Sequence, residues 1–207
     1  MIDFQRDFCA PGGYADRQGG IAWAREIIPS AQRLLEGARA NGIFVVHTRE
    51  GYASDLSDVS AQKLTRSKIA GAEIGLQGPL GRLLIRGEFG HDFIEELKPL
   101  PNELVIDKPT YGAFCRSSLE QTLRTRGVDT VVIAGVTADV CVHTTLREAV
   151  DRGFDARYVR DAISTFDPEL RRACEQMVNV EGGIWGQLTT VDEIISTWRT
   201  AHDTRID

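Results

Sequence analysis

The chain has 207 residues, 42% of them hydrophobic, which is a natural size for one compact domain with a complete apolar core. Its formal net charge of −6 argues against a nucleic-acid partner, whose footprint would be a basic patch. The sequence has no membrane-length apolar run, no signal peptide, no CxxC pair and no disulfide-scaffold density of cysteines, so we expect a cytoplasmic protein with reduced thiols.

The predicted elements alternate between strands and helices along the chain. A strand that ends at Asp3 is followed by a helix over 27–40, a strand over 43–46 and, after a long loop, a strand over 103–107. A helix over 117–127, a strand over 130–135, a helix over 142–150, a strand over 155–159, a helix over 168–180, a short strand over 187–189 and a final helix come next. This order predicts parallel βαβ units in a single α/β domain over 1–207, a three-layer α/β/α sandwich with a mostly parallel sheet.

One long segment, 49–86, interrupts this compact pattern. It is polar, contains glycines and has a charged piece at 63–68. A loop of this length in a compact domain is usually functional, although a plain surface excursion stays open. We expect a lid, or an arm that packs on another subunit.

Cys141 lies between the buried strand over 130–135 and the helix that follows it. A helix N-terminus offers unpaired N–H groups and a partial positive charge, and both lower the pKa of a thiol. The alternative is a small buried hydrophobe, as most free cysteines are. The other cysteines, Cys9, Cys115 and Cys174, are expected to pack in the interior.

Two distant residues favour chemistry at Cys141. Asp3 follows the first predicted strand, and Lys108 follows the strand over 103–107. In an open parallel sheet the carboxyl ends of the strands form one edge, and ligands bind in the crevice outside it. A carboxylate there can accept the thiol proton, and a lysine can keep that carboxylate ionised.

At these residues the chain resembles the isochorismatase-like cysteine hydrolases, a family that includes nicotinamidases and several amidohydrolases of ureido compounds. The family pattern of Asp, Lys and a Cys after G-[VIT]-x-x-x-x-C falls on Asp3, Lys108 and Cys141. Within the family the nearest likeness is to biuret hydrolases, through segments such as His47-Thr-Arg-Glu-Gly51 and Arg86-Gly-Glu88. Ureidoacrylate amidohydrolases match more loosely, through Pro11-Gly-Gly-Tyr14 and the Cys141-Val pair.

The resemblance implies a covalent mechanism. Asp3 would act as general base and later as acid, Cys141 would attack a carbonyl carbon to form an acyl enzyme, and Lys108 would support both charges. The oxyanion would be held by the backbone N–H groups of Thr137 and Cys141, with a cis peptide between Val136 and Thr137. Family members form oligomers and carry apolar residues before the aspartate. We therefore expect a homo-oligomer (dimer or tetramer) and either residues before Met1 or a shortened first strand.

The expected substrate is a small amide or ureido compound of the biuret type that releases ammonia. Ureidoacrylate, triuret or N-carbamoyl compounds are the alternatives, and a non-catalytic binding protein on the same fold is the alternative of another class. No cofactor and no metal are expected, since His47 at the second strand has no partner at ligand spacing. The predicted pocket residues adjoin the triad in sequence: Phe4, Gln5, Phe8, Tyr111 and Phe114.

Glu181 is a further predicted substrate contact. Biuret hydrolases resemble the segment around it but tend to carry Gln there. An ionised carboxylate only accepts hydrogen bonds, whereas an amide also donates them. Glu181 therefore favours a substrate that presents N–H groups, and triuret fits that description as well as biuret does.

Overall fold

The computed structural model describes the backbone of residues 1–203 and the side chains of residues 1–200. The helices are α1 (Arg6–Cys9), α2 (Asp16–Gly19), α3 (Ala22–Ala40), α4 (Ala61–Ile69), α5 (Leu119–Thr125), α6 (His143–Asp151), α7 (Pro168–Val178) and α8 (Val191–Asp203). The strands are β1 (Val46–Glu50), β2 (Gln77–Gly78), β3 (Gly81–Arg82), β4 (Leu104–Lys108), β5 (Thr130–Val136), β6 (Asp155–Ser164) and β7 (Gln187–Thr189). No helix in this part of the chain is both long and apolar enough to cross a membrane.

The central sheet consists of two parallel halves that residues 1–3 join. β1 pairs with β4 in one half, and β5, β6 and β7 pair in that order in the other. Ile2 forms parallel bridges to Thr48 of β1 and to Gly135 of β5. The prediction of a mostly parallel sheet is confirmed, and β4 and β7 form its outer edges.

Helices cover both faces of this sheet, which confirms the three-layer architecture. Along β5, Ala134 and Val136 pack in the core cluster that contains α3, whereas Ile133 packs in the cluster that contains α6 and α7. Successive side chains of a strand point to opposite faces, so one strand is buried by both helical layers. β5 is therefore the interior strand from which the chain runs directly to Cys141.

Two local predictions differ from the structure. The strand predicted over 43–46 is displaced to Val46–Glu50, because its five residues pair in register with Leu104–Lys108 of β4. The long segment over 49–86 is not a plain loop, since it contains α4 and a two-stranded hairpin of β2 and β3. We call the segment 51–86, which follows β1, the arm.

Residues 1–3 lie between β1 and β5. Ahead of Ile2 an apolar cavity of about 570 Å³ separates the two strands, and Phe44, Val46 and Val132 are among the side chains that line it. The Met1 ammonium donates to Val46 O at 2.9 Å, and burial lowers its pKa to about 6. The backbone contacts of Ile2 and Asp3 with β1 and β5 place Asp3 at the sheet edge.

Gly135 makes these contacts possible on the β5 side. Its φ is +139°, and a Cβ there would lie 2.1 Å from the carbonyl oxygen of Ile2. Ile2 N–H donates to Ala134 O at 2.8 Å, and Val136 N–H donates to Ile2 O at 3.1 Å. A side chain at position 135 would push residues 1–3 away from β5.

We predict that Gly135→Ala destabilises the protein and removes its activity together. Gly153→Ala is the matched control, because Gly153 also has a positive φ of 79° but no atom lies near its Cβ position. The control should cost about 1–2 kcal/mol for the left-handed backbone, and Gly135→Ala should cost about 1–3 kcal/mol more for the overpacking. Urea unfolding measures both, and equal losses would contradict the account of Gly135.

Candidate active site

Asp3 and Lys108 form a fully buried ion pair at the carboxyl edge of the sheet. Lys108 Nζ lies 2.7 Å from Asp3 Oδ2, and both side chains are 0% exposed. Lys108 also donates to the carbonyl oxygens of Thr110 and Tyr111 at 3.0 and 2.9 Å, which uses the donors of its ammonium group. Thr48 donates to Asp3 Oδ1 at 2.6 Å. The sequence placed both residues at strand ends, and the structure brings them together there.

Cys141 completes the predicted group of three. One carboxylate oxygen of Asp3, one of Glu50 and the sulfur of Cys141 all lie within 4.8 Å of one another. Cys141 sits in a single wide helical turn over Ala138–Val142, between the end of β5 and α6. Asp3 Oδ2 lies 2.7 Å from Lys108 Nζ, and a carboxylate oxygen has a second lone pair that can accept the thiol proton.

The pKa of the Cys141 thiol lies well above its ordinary value. Burial is the largest cause, and the carboxylates of Asp3 and Glu50 add to it, while the Lys108 ammonium opposes them. The sequence predicted the reverse, on the ground that a helix N-terminus lowers the pKa of a thiol. Full burial beside two carboxylates outweighs that effect and favours the neutral thiol over the thiolate.

Glu50 is a functional candidate that the sequence reasoning missed. It ends β1 at the same sheet edge, and Cys141 Sγ donates to its Oε2 at 3.4 Å. Its Oε1 accepts from Tyr52 at 2.5 Å and lies 3.0 Å from Lys63 Nζ. Burial would raise the pKa of Glu50, but Lys108 and Lys63 hold it below its usual value. Its position at the end of a strand could have identified it, but the strand predicted from the sequence covered 43–46 and ended before Glu50.

Asp3, Glu50 and Cys141 together have the composition of a metal-ligand set, but lysines already pair with both carboxylates. Lys108 lies against Asp3 and Lys63 against Glu50. His47 lies elsewhere, buried with its Nε2 2.9 Å from Glu103 Oε2. Burial and the Met1 ammonium lower the pKa of His47 to about 4, so it is neutral at physiological pH.

A cavity of about 220 Å³ opens onto Cys141. Of the predicted pocket residues, Phe8 and Tyr111 lie on its wall. Phe4 and Phe114 are buried in the apolar core away from it. Gln5 instead clamps the backbone of Glu50, donating to its carbonyl at 2.9 Å and accepting from its N–H at 2.7 Å. Thr137, which follows the cis peptide after Val136, also lines the cavity.

The structure does not bring Glu181 to the cavity: it is exposed in the turn after α7 and is not among the residues that line the wall. The prediction that Cys115 packs in the interior is wrong, since Cys115 is exposed, whereas Cys9 and Cys174 are buried as expected. A sequence pattern alone does not show which way such a turn faces.

The arm covers the site of its own chain. Lys63, Arg66 and Ser67 of α4 line the cavity opposite Cys141. Lys63 Nζ lies 3.8 Å from the centre of the Tyr111 ring, a cation–π contact that adds to its ion pair with Glu50. The arm thus supplies one wall of the cavity and one of its charges.

Comparison with known proteins identifies the family. The isochorismatase domain model matches residues 1–190, and the chain belongs to this family of α/β proteins. The ureidoacrylate amidohydrolase RutB of Caulobacter segnis is 30% identical over 199 residues, which cover 93% of this chain and 82% of that protein. The RutB protein of Variovorax paradoxus is likewise 30% identical, over 97% of this chain and 81% of its own.

Solved structures agree with this assignment. A cysteine hydrolase from Pseudomonas syringae pv. phaseolicola superimposes with a TM-score of 0.82 at 25% identity, covering 97% of this chain and 91% of its own. The predicted family is therefore confirmed. The predicted nearest likeness to biuret hydrolases is not supported, since the curated relatives carry the name ureidoacrylate amidohydrolase.

We predict that iodoacetamide modifies Cys141 more slowly than the exposed Cys115 at neutral pH, because only a thiolate reacts and the pKa of Cys141 is raised. In Asp3→Asn one of the carboxylates that raises this pKa is gone, so alkylation of Cys141 should accelerate while that of Cys115 stays constant. Peptide mapping by mass spectrometry measures both sites. Faster modification of Cys141 than of Cys115 in the unaltered protein would mean that the resting group is a thiolate.

Proposed function

We propose that this protein is a cysteine-dependent amidohydrolase that cleaves the terminal C–N bond of a small ureido acid and releases ammonia. The observation that carries the proposal is the buried Asp3–Lys108 ion pair beside Cys141, which lines a cavity of about 220 Å³. The ureidoacrylate amidohydrolases among its relatives support a ureido acid over biuret.

The first half of the reaction forms a carbamoyl thioester. The substrate carbonyl carbon lies over Cys141 Sγ, Asp3 accepts the thiol proton, and the sulfur attacks. Backbone N–H groups of Thr137 and Cys141 bind the oxyanion of the tetrahedral intermediate. Asp3 then returns the proton to the terminal nitrogen, and ammonia leaves as the C–N bond breaks.

The second half regenerates the enzyme. A water molecule gives a proton to Asp3 and attacks the thioester carbon, after which the C–S bond breaks and Asp3 returns the proton to the sulfur. The product is a carbamate. Lys108 stays charged throughout, because Asp3, Cys141 and Glu50 raise its pKa against the effect of burial. It therefore keeps Asp3 ready to accept a proton in each half.

Glu50 has a binding role in this scheme. Its carboxylate lies beside the sulfur and accepts hydrogen bonds only, so it suits the N–H groups of a ureido substrate. The Lys63 ion pair and the Gln5 clamp fix its position.

We predict that Cys141→Ala and Cys141→Ser lower ammonia release by at least about 10³-fold while the fold is preserved, as loss of a covalent nucleophile requires. The assay compares N-carbamoyl-β-alanine, ureidoacrylate, biuret, triuret and nicotinamide, and we expect the ureido acids to be turned over fastest. Prolonged chelator treatment should leave the rate unchanged. If the alanine variant kept a tenth of the parent rate, Cys141 would not be the nucleophile. If the unaltered protein bound ureides without turnover, the alternative of a binding protein would hold.

Variants of Glu50 and Glu181 test which carboxylate contacts the substrate: the one that the structure places at Cys141 or the one predicted from the sequence. We predict that Glu50→Gln lowers kcat/KM for a ureido acid by at least about tenfold, since Lys63 then lacks its counter-charge and the substrate loses a charged acceptor, a hydrogen bond of about 1.5–3 kcal/mol. Glu181→Gln is the matched control and should stay within about twofold, as surface changes usually do. Steady-state kinetics measures both variants. A larger loss of kcat/KM in Glu181→Gln than in Glu50→Gln would indicate that Glu181 contacts the substrate.

A further inference from the structure

The face of α4 that lines the cavity is cationic. Lys63, Arg66, Ser67 and Ala70 lie on that face, at the spacing of one helical side. The helix carries Lys63, Arg66 and Lys68 and no acidic residue, although the whole chain has a net charge of −6. This concentration of positive charge at a cavity wall of an acidic protein favours an anionic ligand.

The two cations on this face differ in their pairing. The Lys63 ammonium is committed to Glu50 at 3.0 Å. Arg66 has neither an ion-pair nor a hydrogen-bond partner among residues 1–200 and is exposed at the outer part of the cavity. Its charge reaches the site, because it acts on the Tyr111 hydroxyl and opposes the rise of that pKa.

The acidic groups on the cavity wall do not neutralise Arg66. Glu50 pairs with Lys63. Asp139 acts on the Cys174 thiol and on the His143 imidazole, which lie towards α7. The guanidinium of Arg66 therefore remains available to a group that enters the cavity with a substrate.

The spacing of the site suits a short ureido acid. Lys63 and Glu50 connect α4 to the sulfur through contacts of 3.0 and 3.4 Å. Arg66 lies one turn farther along α4, about 4.5 Å along the helix axis. A molecule with its carbonyl carbon at Cys141 and a carboxylate a few bonds away would reach the guanidinium, which binds carboxylates in a two-pronged geometry.

We propose that Arg66 binds the carboxylate of the substrate and thereby selects ureido acids over neutral ureides. This inference rests on the proposed function and names the residue that reads the acid. Arg66 touches the part of the substrate that does not react, so its contribution is to binding and specificity rather than to the bond-breaking steps.

The test compares N-carbamoyl-β-alanine with its methyl ester, which keeps the ureido group and loses the charge. Arg66→Met should lower kcat/KM for the acid by at least about tenfold, mainly through KM, and leave the ester within about twofold; tenfold corresponds to about 1.4 kcal/mol. Arg66→Lys should retain part of the preference. Lys68→Met removes a charge from the same helix at a residue outside the cavity wall, and it should change neither substrate. An unchanged acid-to-ester ratio in Arg66→Met would overturn the assignment.

A binding measurement separates failure of this inference from failure of the proposed function. Calorimetry with Cys141→Ala, with and without Arg66→Met, gives the affinity for the acid and the ester without turnover. Binding of the acid that depends on Arg66, in a protein that releases no ammonia, would refute only the proposed function. Turnover with no dependence on Arg66 would refute only this inference, and absence of both binding and turnover would refute both.

Discussion

The buried ion pair between Asp3 and Lys108 is the constraint on which the site depends. Two charges without access to water lose their hydration, and this cost is offset only when the geometry is good and other hydrogen bonds are made. Lys108 meets the condition through two backbone carbonyls, and Asp3 through Thr48. Loss of one partner would leave a buried unpaired charge at a cost of about 3–5 kcal/mol. Residues 1–3 are therefore held tightly between β1 and β5.

Burial and the carboxylates around Cys141 favour the protonated sulfur. Two carboxylates and two ammonium groups surround a single thiol, and the carboxylates of Asp3 and Glu50 lie nearest to it. A resting thiolate there would repel both carboxylates in a buried site. In the proposed mechanism a neutral thiol keeps its proton for transfer through Asp3 to the leaving nitrogen.

In the proposed function, the arm connects this chemistry to the choice of substrate. Because α4 lies across the cavity from the strand ends, one segment supplies both the Lys63 partner of Glu50 and the free guanidinium of Arg66. In the proposed function the strand ends carry the reacting groups. The arm would carry the groups that distinguish one substrate from another, a role that loops on a rigid scaffold usually have.

The sequence by itself determined the layered fold and the family, and it pointed to Asp3, Lys108 and Cys141 as neighbours at the sheet edge. Asp3 and Lys108 lie at the ends of apolar segments, and Cys141 lies in the turn that follows the apolar strand β5, so local apolar patterning pointed to all three. Only the tertiary structure placed Glu50, because the end of β1 is set by its register with β4 rather than by local composition. It also showed that Arg66 lines the cavity and that Glu181 does not. The pKa of Cys141 is raised in the structure, whereas the sequence led us to expect a lowered value. Burial, register and charge–charge distances depend on contacts between segments far apart in the chain, and local sequence does not contain them.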